Sequence, residues 1–120
     1  MNTQTARIRE LNDNLRKNLT GGRVMMTPGI AALGPTSVER VVKAITVFDD
    51  FCNENDPYSE HDFGALDVEG KKVFFKIDYY DKAFRAHSPD PSDPAVTERV
   101  ITLMLAEEQY CDLRLADDGL

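Results

Sequence analysis

The chain has 120 residues, of which 42% are hydrophobic and 29% are charged, and its formal net charge is −7. This composition predicts one folded domain over residues 1–120, with a frayed tail after about residue 110, and is not that of a disordered chain. No stretch approaches the roughly 18 consecutive apolar residues of a membrane span, and the polar start lacks the apolar run of a signal peptide, so we expect a cytoplasmic protein that does not contact a membrane.

Two amphipathic helices are predicted in the first half of the chain. In residues 5–19, apolar side chains recur every three or four positions, and a Gly-Gly pair follows as a helix end. In residues 37–52 the same spacing recurs, and Thr36 and Glu39 have the spacing of a capping box. Cys52 falls on the apolar stripe of this second helix, so we expect a buried, reduced thiol there.

The stretch that ends at Asp81 predicts a β-hairpin over about residues 62–80, which is the centre of the expected fold. Its aromatic, β-branched and alternating residues are typical of paired strands, and Gly70 allows the positive φ that a tight turn needs. With a two-residue turn, Val68 faces Lys71. One face of the hairpin is then apolar and is expected to point at the core; it consists of Gly64, Leu66, Val73, Phe75, Ile77 and Tyr79.

Two further segments extend the predicted sheet. Residues 23–29 favour a short edge strand, because Pro28 cannot donate to a central ladder. Residues 96–108 contain a compact apolar run that fits either a strand or a helix, and the shortness of the run favours a strand. The predicted fold is therefore α+β, with a small antiparallel sheet of three or four strands and both helices packed on one face.

An acidic segment in the middle of the chain is the candidate partner surface. From Asp49 to Glu69 there are eight acidic residues and no Lys or Arg. Such a run repels nucleic-acid phosphate and attracts a basic protein partner, although it is more often a solvated face. Aromatic residues on the second face of the hairpin add an apolar element. The predicted partner-binding residues are Asp49, Asp50, Glu54, Asp56, Glu60, Phe63, Phe74 and Tyr80.

One imidazole and three carboxylates form the candidate catalytic set: His61, Asp62, Asp78 and Asp81. In the predicted register His61 lies opposite Asp78, and a carboxylate that orients an imidazole is a unit of general-base catalysis. The same pair on a strand surface is commonly a contact of little energetic effect. No recognised metal or nucleophile motif accompanies these residues, so we expect neither a metal nor a cofactor.

Several phrases of the sequence, taken together, resemble a known family: LTGGRVMMTPGIAAL, NDPYSEHDFGA, FFKIDYYD and SPDPSDPAVTERVITLMLAEE. They resemble the bacterial family catalogued as domain of unknown function 3768, over about residues 6–110. The resemblance implies a small protein, mostly from alphaproteobacteria and often encoded on plasmids or other mobile DNA. It implies no activity and no catalytic residue.

Three functional hypotheses follow. The first is a non-enzymatic accessory or protein-interaction domain that acts through its acidic surface, and the lack of a catalytic motif favours it. The second is a small hydrolase, metal-dependent or using a general base, built on the His61 set. The third is a ligand-binding module in which the proline-rich loop of residues 82–95 closes over the aromatic residues of the hairpin.

Overall fold

The computed structural model describes residues 2–52, 54 and 56–108. Within these ranges three helices and four strands have defined bounds, and residues 106–108 are also helical. In chain order the elements are α1 (Thr3–Asn18), β1 (Arg23–Met26), α2 (Pro28–Ala31), α3 (Pro35–Val47), β2 (Phe63–Val68), β3 (Lys71–Tyr80) and β4 (Glu98–Leu105). The α+β prediction is confirmed, and the segment that fitted either a strand or a helix is the strand β4. The predicted tail after about residue 110 lies outside the described residues. No described helix is long and apolar enough to cross a membrane.

The four strands form one sheet in the order β1-β4-β3-β2. Strand β3 pairs antiparallel with β2 and with β4, whereas β1 joins β4 in parallel, so the sheet is mixed. A parallel pair needs a long connection, and here the connection contains two helices and the whole hairpin. The two edges of the sheet are β1 and β2.

The hairpin forms in the predicted register. Val68 pairs with Lys71, and the two turn residues Glu69 and Gly70 have φ values of 52° and 79°. Two successive positive φ values give a turn whose twist matches that of the flanking strands. The face predicted to be apolar lies in the core through Val73, Phe75, Ile77 and Tyr79.

The helices cover one face of the sheet, and the core lies between the two layers. Each fully buried aliphatic or aromatic side chain in such a core stabilises the fold by about 1.5–3 kcal/mol. Gly64 in β2 allows close packing, because a Cβ atom at this position would overlap the rings of Phe48 and Phe75. The buried residues of the core are Ile8, Leu15, Ile30, Val41, Ile45, Phe48, Val73, Phe75, Ile77, Tyr79, Ile101 and Leu103.

The second predicted helix differs from α3 at both ends. Pro35 is its first residue, and no side chain caps it, so the predicted capping box at Thr36 does not form. The helix ends at Val47, because Phe48 has an extended backbone and packs into the core from there. The expectation of a buried Cys52 is therefore wrong: this residue is exposed in the loop that follows.

Candidate functional site

A buried polar network lies where α1 meets β3 and β4, and Asn12 is its centre. The Asn12 side chain is fully buried. Its amide nitrogen donates to the hydroxyl of Tyr79 at 2.7 Å and to the carbonyl of Glu60 at 3.0 Å. Its Oδ1 accepts from Nε of Arg99 at 2.7 Å. One side chain thus joins the first helix to two strands and to the loop before β2.

Tyr79 and Arg99 carry the network away from Asn12. The Tyr79 hydroxyl donates to Oε1 of Glu60 at 2.9 Å. The Arg99 guanidinium lies 5.0 Å from the centre of the Tyr79 ring and donates to the carbonyl of Pro91. Burial raises the pKa of the Tyr79 phenol and lowers the pKa of the Arg99 guanidinium, because each charged form is separated from water. Tyr79 therefore stays a neutral hydrogen-bond donor at physiological pH.

His61 lies beside this network, between two carboxylates. Its Nδ1 is 2.8 Å from Oδ1 of Asp13, and its Nε2 is 3.6 Å from Oδ2 of Asp56. Its backbone N–H also donates to Asp56, at 3.0 Å. The imidazole is stacked on the ring of Phe51, with 3.8 Å between the ring centres. These contacts fix the ring in place on both edges and on one face.

Arg16, on α1, is a second buried cation besides Arg99, with 1% of its surface exposed. Its Nη2 donates to Oδ1 of Asp13 at 3.1 Å, and its Nη1 donates to the carbonyls of Ile45 and Phe48. The guanidinium lies 5.2 Å from the centre of the Phe51 ring, within cation–π range. Arg16 therefore ties α1 to the end of α3.

The predicted catalytic residues do not come together in one site. His61 lies outside the β2–β3 ladder, and its side chain contacts carboxylates other than Asp78. Asp78 lies on the sheet face away from the helices, with its carboxylate 3.7 Å from Nζ of Lys76. Asp81 accepts a backbone N–H of the loop that follows β3. Within residues 2–52, 54 and 56–108, no three His, Cys, Asp or Glu side chains form a group that could hold a metal ion.

Asp62, the fourth member of the predicted set, has an environment that disfavours its ionised form. Burial raises its pKa above the ordinary value of 3.8, and the charges of Glu60, Asp56 and Asp78 raise it further. Its backbone carbonyl accepts from Ile77 and extends the hairpin pairing by one bond. The backbone of the hairpin thus holds Asp62 in position, and its carboxylate lies close to other acids.

The acids of the predicted partner surface divide into two groups. Asp49, Asp50 and Glu54 are exposed. Asp56 is only 5% exposed, and Glu60 accepts hydrogen bonds inside the polar network. The acidic run is therefore partly an internal structural feature.

The aromatic residues of the predicted partner surface lie on the outer face of the sheet, away from the helices. Phe63 and Phe74 pack edge to face, with 5.1 Å between ring centres, and both are half-buried. Tyr80 is 36% exposed, and its ring centre lies 5.8 Å from that of Phe84. The loop of residues 82–95 thus contacts one of the three predicted aromatic residues.

A cleft of about 160 Å³ opens beside the imidazole. It is lined by Arg9, Phe51, Cys52, Asp56, Ser59 and His61. Asp62, Asp78 and Asp81 do not line it, so His61 is the one predicted catalytic residue that reaches this cleft.

An exposed apolar region lies at the β1 edge of the sheet. Val24, Met25 and Met26 are 37%, 52% and 39% exposed. The guanidinium of Arg23 lies 4.5 Å from the centre of the Phe84 ring, which is itself 40% exposed. These five residues are called the β1 surface below. The sequence predicted an edge strand here, but it gave no sign that Phe84 would lie beside it.

The polar network was not predicted, because its members are far apart in the sequence. The available signal lay in α1: Asn12 follows Ile8 by four residues, and Arg16 follows Asn12 by four. Residues at this spacing share one helix face, and that face is buried. Two polar residues on a buried face require partners elsewhere in the chain. Leu19, the last apolar residue of the predicted helix over residues 5–19, is 40% exposed at the end of α1.

Comparisons with known proteins give a family but no activity. No curated protein and no solved structure is significantly similar to this chain. A family model described as "Protein of unknown function (DUF3768)" matches residues 26–108, from the end of β1 past the end of β4. The match includes the hairpin, β4 and most of the polar network. Since it spans more than half of the sequence, the chain belongs to the DUF3768 family.

Proposed function

We propose that this protein is a small accessory domain that binds another protein and has no catalytic role. The observation that carries the proposal is the β1 surface, where three neighbouring apolar side chains and an aromatic ring face solvent. Methionine and aromatic side chains that are exposed along one edge of a sheet are typical of surfaces that bind proteins, because their burial against a partner is favourable.

The use of the polar side chains supports the same proposal. His61 lies between Asp13 and Asp56, and Tyr79 and Glu60 are occupied by the contacts of Asn12. A general base needs an atom that a substrate can reach. The hydrolase hypothesis would need the His61 set to converge, whereas His61, Asp78 and Asp81 contact different partners.

A second version of the proposed function uses the acidic loop instead of the β1 surface. Asp49, Asp50 and Glu54 are exposed in this loop, and exposed acids attract a basic partner. The two versions respond differently to salt. At about 1 M salt charges are screened beyond roughly 3 Å, whereas apolar contacts persist.

The experiment is affinity capture from the source cell with the full-length protein as bait, at low salt and at about 1 M salt. The family resemblance implies mobile DNA as the setting, so the cell that carries the gene is the place to search. We expect a protein that wild type retains at both salt concentrations and that M25E loses.

V47E is the matched control, because Val47 is an exposed apolar residue far along the chain, on α3, at 65% exposure. Retention by wild type and V47E with loss by M25E supports binding at the β1 surface. Retention only at low salt, unaffected by M25E, assigns binding to the acidic loop. Capture of no protein, or an ester or phosphoester hydrolysis that disappears in H61N, contradicts the proposal.

A further inference from the structure

The backbone of β1 has hydrogen-bonding groups that no described strand uses. β1 is an edge strand, and β4 is its sheet neighbour within the described residues. Directly after β1, the N–H of Thr27 donates to a β4 carbonyl at 3.0 Å. Because alternate residues of a strand direct their N–H and C=O groups to opposite sides, Arg23 and Met25 also face β4. Val24 and Met26 therefore direct their backbone groups to the open side.

The side chains at this open side are apolar on both faces of the sheet. Val24 and Met26 are in register with Ile101 and Leu103 of β4 and lie on the helix face. Met25 lies on the outer face. Proteins protect edge strands with Lys, Pro, bulges or covering loops. β1 has four residues and one charged side chain, Arg23. Its three apolar residues include no Lys, Pro or bulge, so this part of the edge is a template for an added strand.

Charge indicates what kind of segment fits this edge. Between Asp13 and Glu39 the sequence contains no acidic residue, although the whole protein has a net charge of −7. Arg23, which is part of β1 itself, is exposed and forms no ion pair within the described ranges. A second copy paired through the same strand would bring another Arg23, and the acid beside the strand end, Glu108, already accepts hydrogen bonds from Thr27 and Gly29. An acidic segment from a different protein is the better complement.

We propose that β1 binds, by strand addition, an extended segment of a partner protein in which apolar residues alternate with Asp or Glu. This inference rests on the proposed function and names its surface and the chemistry of its partner. The backbone of the segment bonds to Val24 and Met26. One of its acids pairs with Arg23 in a charge-assisted hydrogen bond, and its apolar side chains pack on Met25 and Phe84.

The experiment is selection from a random-peptide phage library on the immobilised full-length protein. The best enriched peptide is then made synthetically, and its binding is measured by fluorescence anisotropy. We expect enriched peptides to alternate apolar and acidic residues. We expect V24P to weaken binding at least tenfold, because proline removes an outward N–H, while its unfolding midpoint stays near wild type since that N–H makes no ladder bond.

R23E tests whether the positive charge of Arg23 contributes to peptide binding, and it leaves the backbone N–H groups of β1 in place. It also provides a test of the inference if V24P does not fold. We expect R23E to weaken binding at least tenfold. The matched controls are V24I, which keeps the N–H and the branched side chain, and K43E, which reverses an exposed charge on α3. Both controls are expected to bind within twofold of wild type.

Each other result overturns the inference in a distinct way. Peptides that bind V24P as tightly as wild type exclude strand addition and leave a protein-binding function intact. Peptides without acids, or binding unchanged in R23E, exclude the acidic partner. A wild-type dimer in sedimentation that V24P abolishes assigns the edge to a second copy. No enriched peptide, together with successful capture from the cell, removes this inference alone; failure of both removes the proposed function as well.

Discussion

The polar network around Asn12 and the β1 surface use their side chains in opposite ways. In the network, polar and charged groups are buried and hydrogen-bonded to one another. At β1, methionine and valine face solvent. A buried polar network stabilises a fold only when its members are partnered, so its residues are committed to structure. The comparison teaches that in this protein the residue types associated with catalysis hold the fold together, whereas apolar residues are left exposed at the edge of the sheet.

The largest expected effect lies at the centre of the network. N12A removes a donor and an acceptor, and it leaves buried groups of Tyr79 and Arg99 and a half-buried carbonyl of Glu60 without their partner. Because each unsatisfied buried polar group costs about 1–3 kcal/mol, we expect the free energy of unfolding to fall by about 3 kcal/mol. Urea denaturation followed by circular dichroism measures this. The control N18A, at an exposed position of the same helix, should lose less than about 0.5 kcal/mol; equal losses would mean that the network is not a structural centre.

A smaller effect is expected where Glu108 holds the end of β1. Its carboxylate accepts from the Thr27 hydroxyl and, at 2.9 Å each, from the N–H groups of Gly29 and Leu105. A glutamine offers one acceptor oxygen instead of two, so E108Q is expected to cost about 1 kcal/mol at pH 7.

The cost of E108Q is expected to depend on pH. Burial raises the pKa of Glu108, but the hydrogen bonds from Thr27, Leu105 and Gly29 together outweigh it, and the net pKa lies below the ordinary 4.5. A depressed carboxyl pKa stabilises the fold above the unfolded value, and this contribution is lost as pH falls through the folded value. Urea midpoints from pH 7 to pH 3 should therefore converge for wild type and E108Q. A difference that is independent of pH would contradict this, and E107Q, at an exposed neighbour, is the control.

D62N is expected to stabilise the fold, whereas E108Q is expected to destabilise it. The folded-state pKa of Asp62 lies above its ordinary 3.8, so its ionised form destabilises the fold above the folded pKa, and this penalty is absent below 3.8. After allowance for solvent screening, D62N should gain a few tenths of a kcal/mol at pH 7. Thermal midpoints at pH 7 and at pH 3.5 measure the gain, which should disappear at the lower pH. D49N, at an exposed acid, is the control and should leave the thermal midpoints at both pH values unchanged. A loss of stability in D62N would show that the Asp62 carboxylate has an essential partner.

The smallest effect on stability is expected at the β1 surface. M25S should lie within about 0.5 kcal/mol of wild type in urea denaturation, because Met25 is half-exposed and packs little against the core. Its effect should appear in the capture experiment as loss of the partner. A loss of stability above about 1 kcal/mol would make Met25 a packing residue and would remove the contrast with the network.

Local signals predicted the hairpin and its register. Turn chemistry at Gly70 and the two-residue alternation of β3 act over a few neighbouring residues, and each points to the same pairing. The three- and four-residue apolar spacing that predicted the helices gave a wrong end for α3. Phe48 continues the helical apolar spacing, but it reaches the core from an extended segment, and periodicity alone does not separate these two cases.

Long-range contacts account for what could not be predicted. The parallel pairing of β1 with β4 joins segments at opposite ends of the described chain. Asn12 finds Tyr79 and Arg99 across similar distances in sequence. Asp13 and His61 were both visible as polar residues, but nothing in their neighbourhoods in the sequence connects them. Because the candidate site consists of such contacts, its geometry could not be predicted from the sequence and is seen only in the folded structure.

The parallel pairing of β1 has a consequence during synthesis on the ribosome. The hairpin β2–β3 joins neighbouring segments and can close as soon as it emerges, because local pairing requires little loop closure. β1 is translated much earlier, yet its partner strand is residues 98–105. Until that strand has been made, the Val-Met-Met segment has no sheet to join. The nascent chain therefore exposes this apolar segment through most of its translation. The segment is the site at which we expect chaperones to bind, or aggregation to begin, before folding is complete.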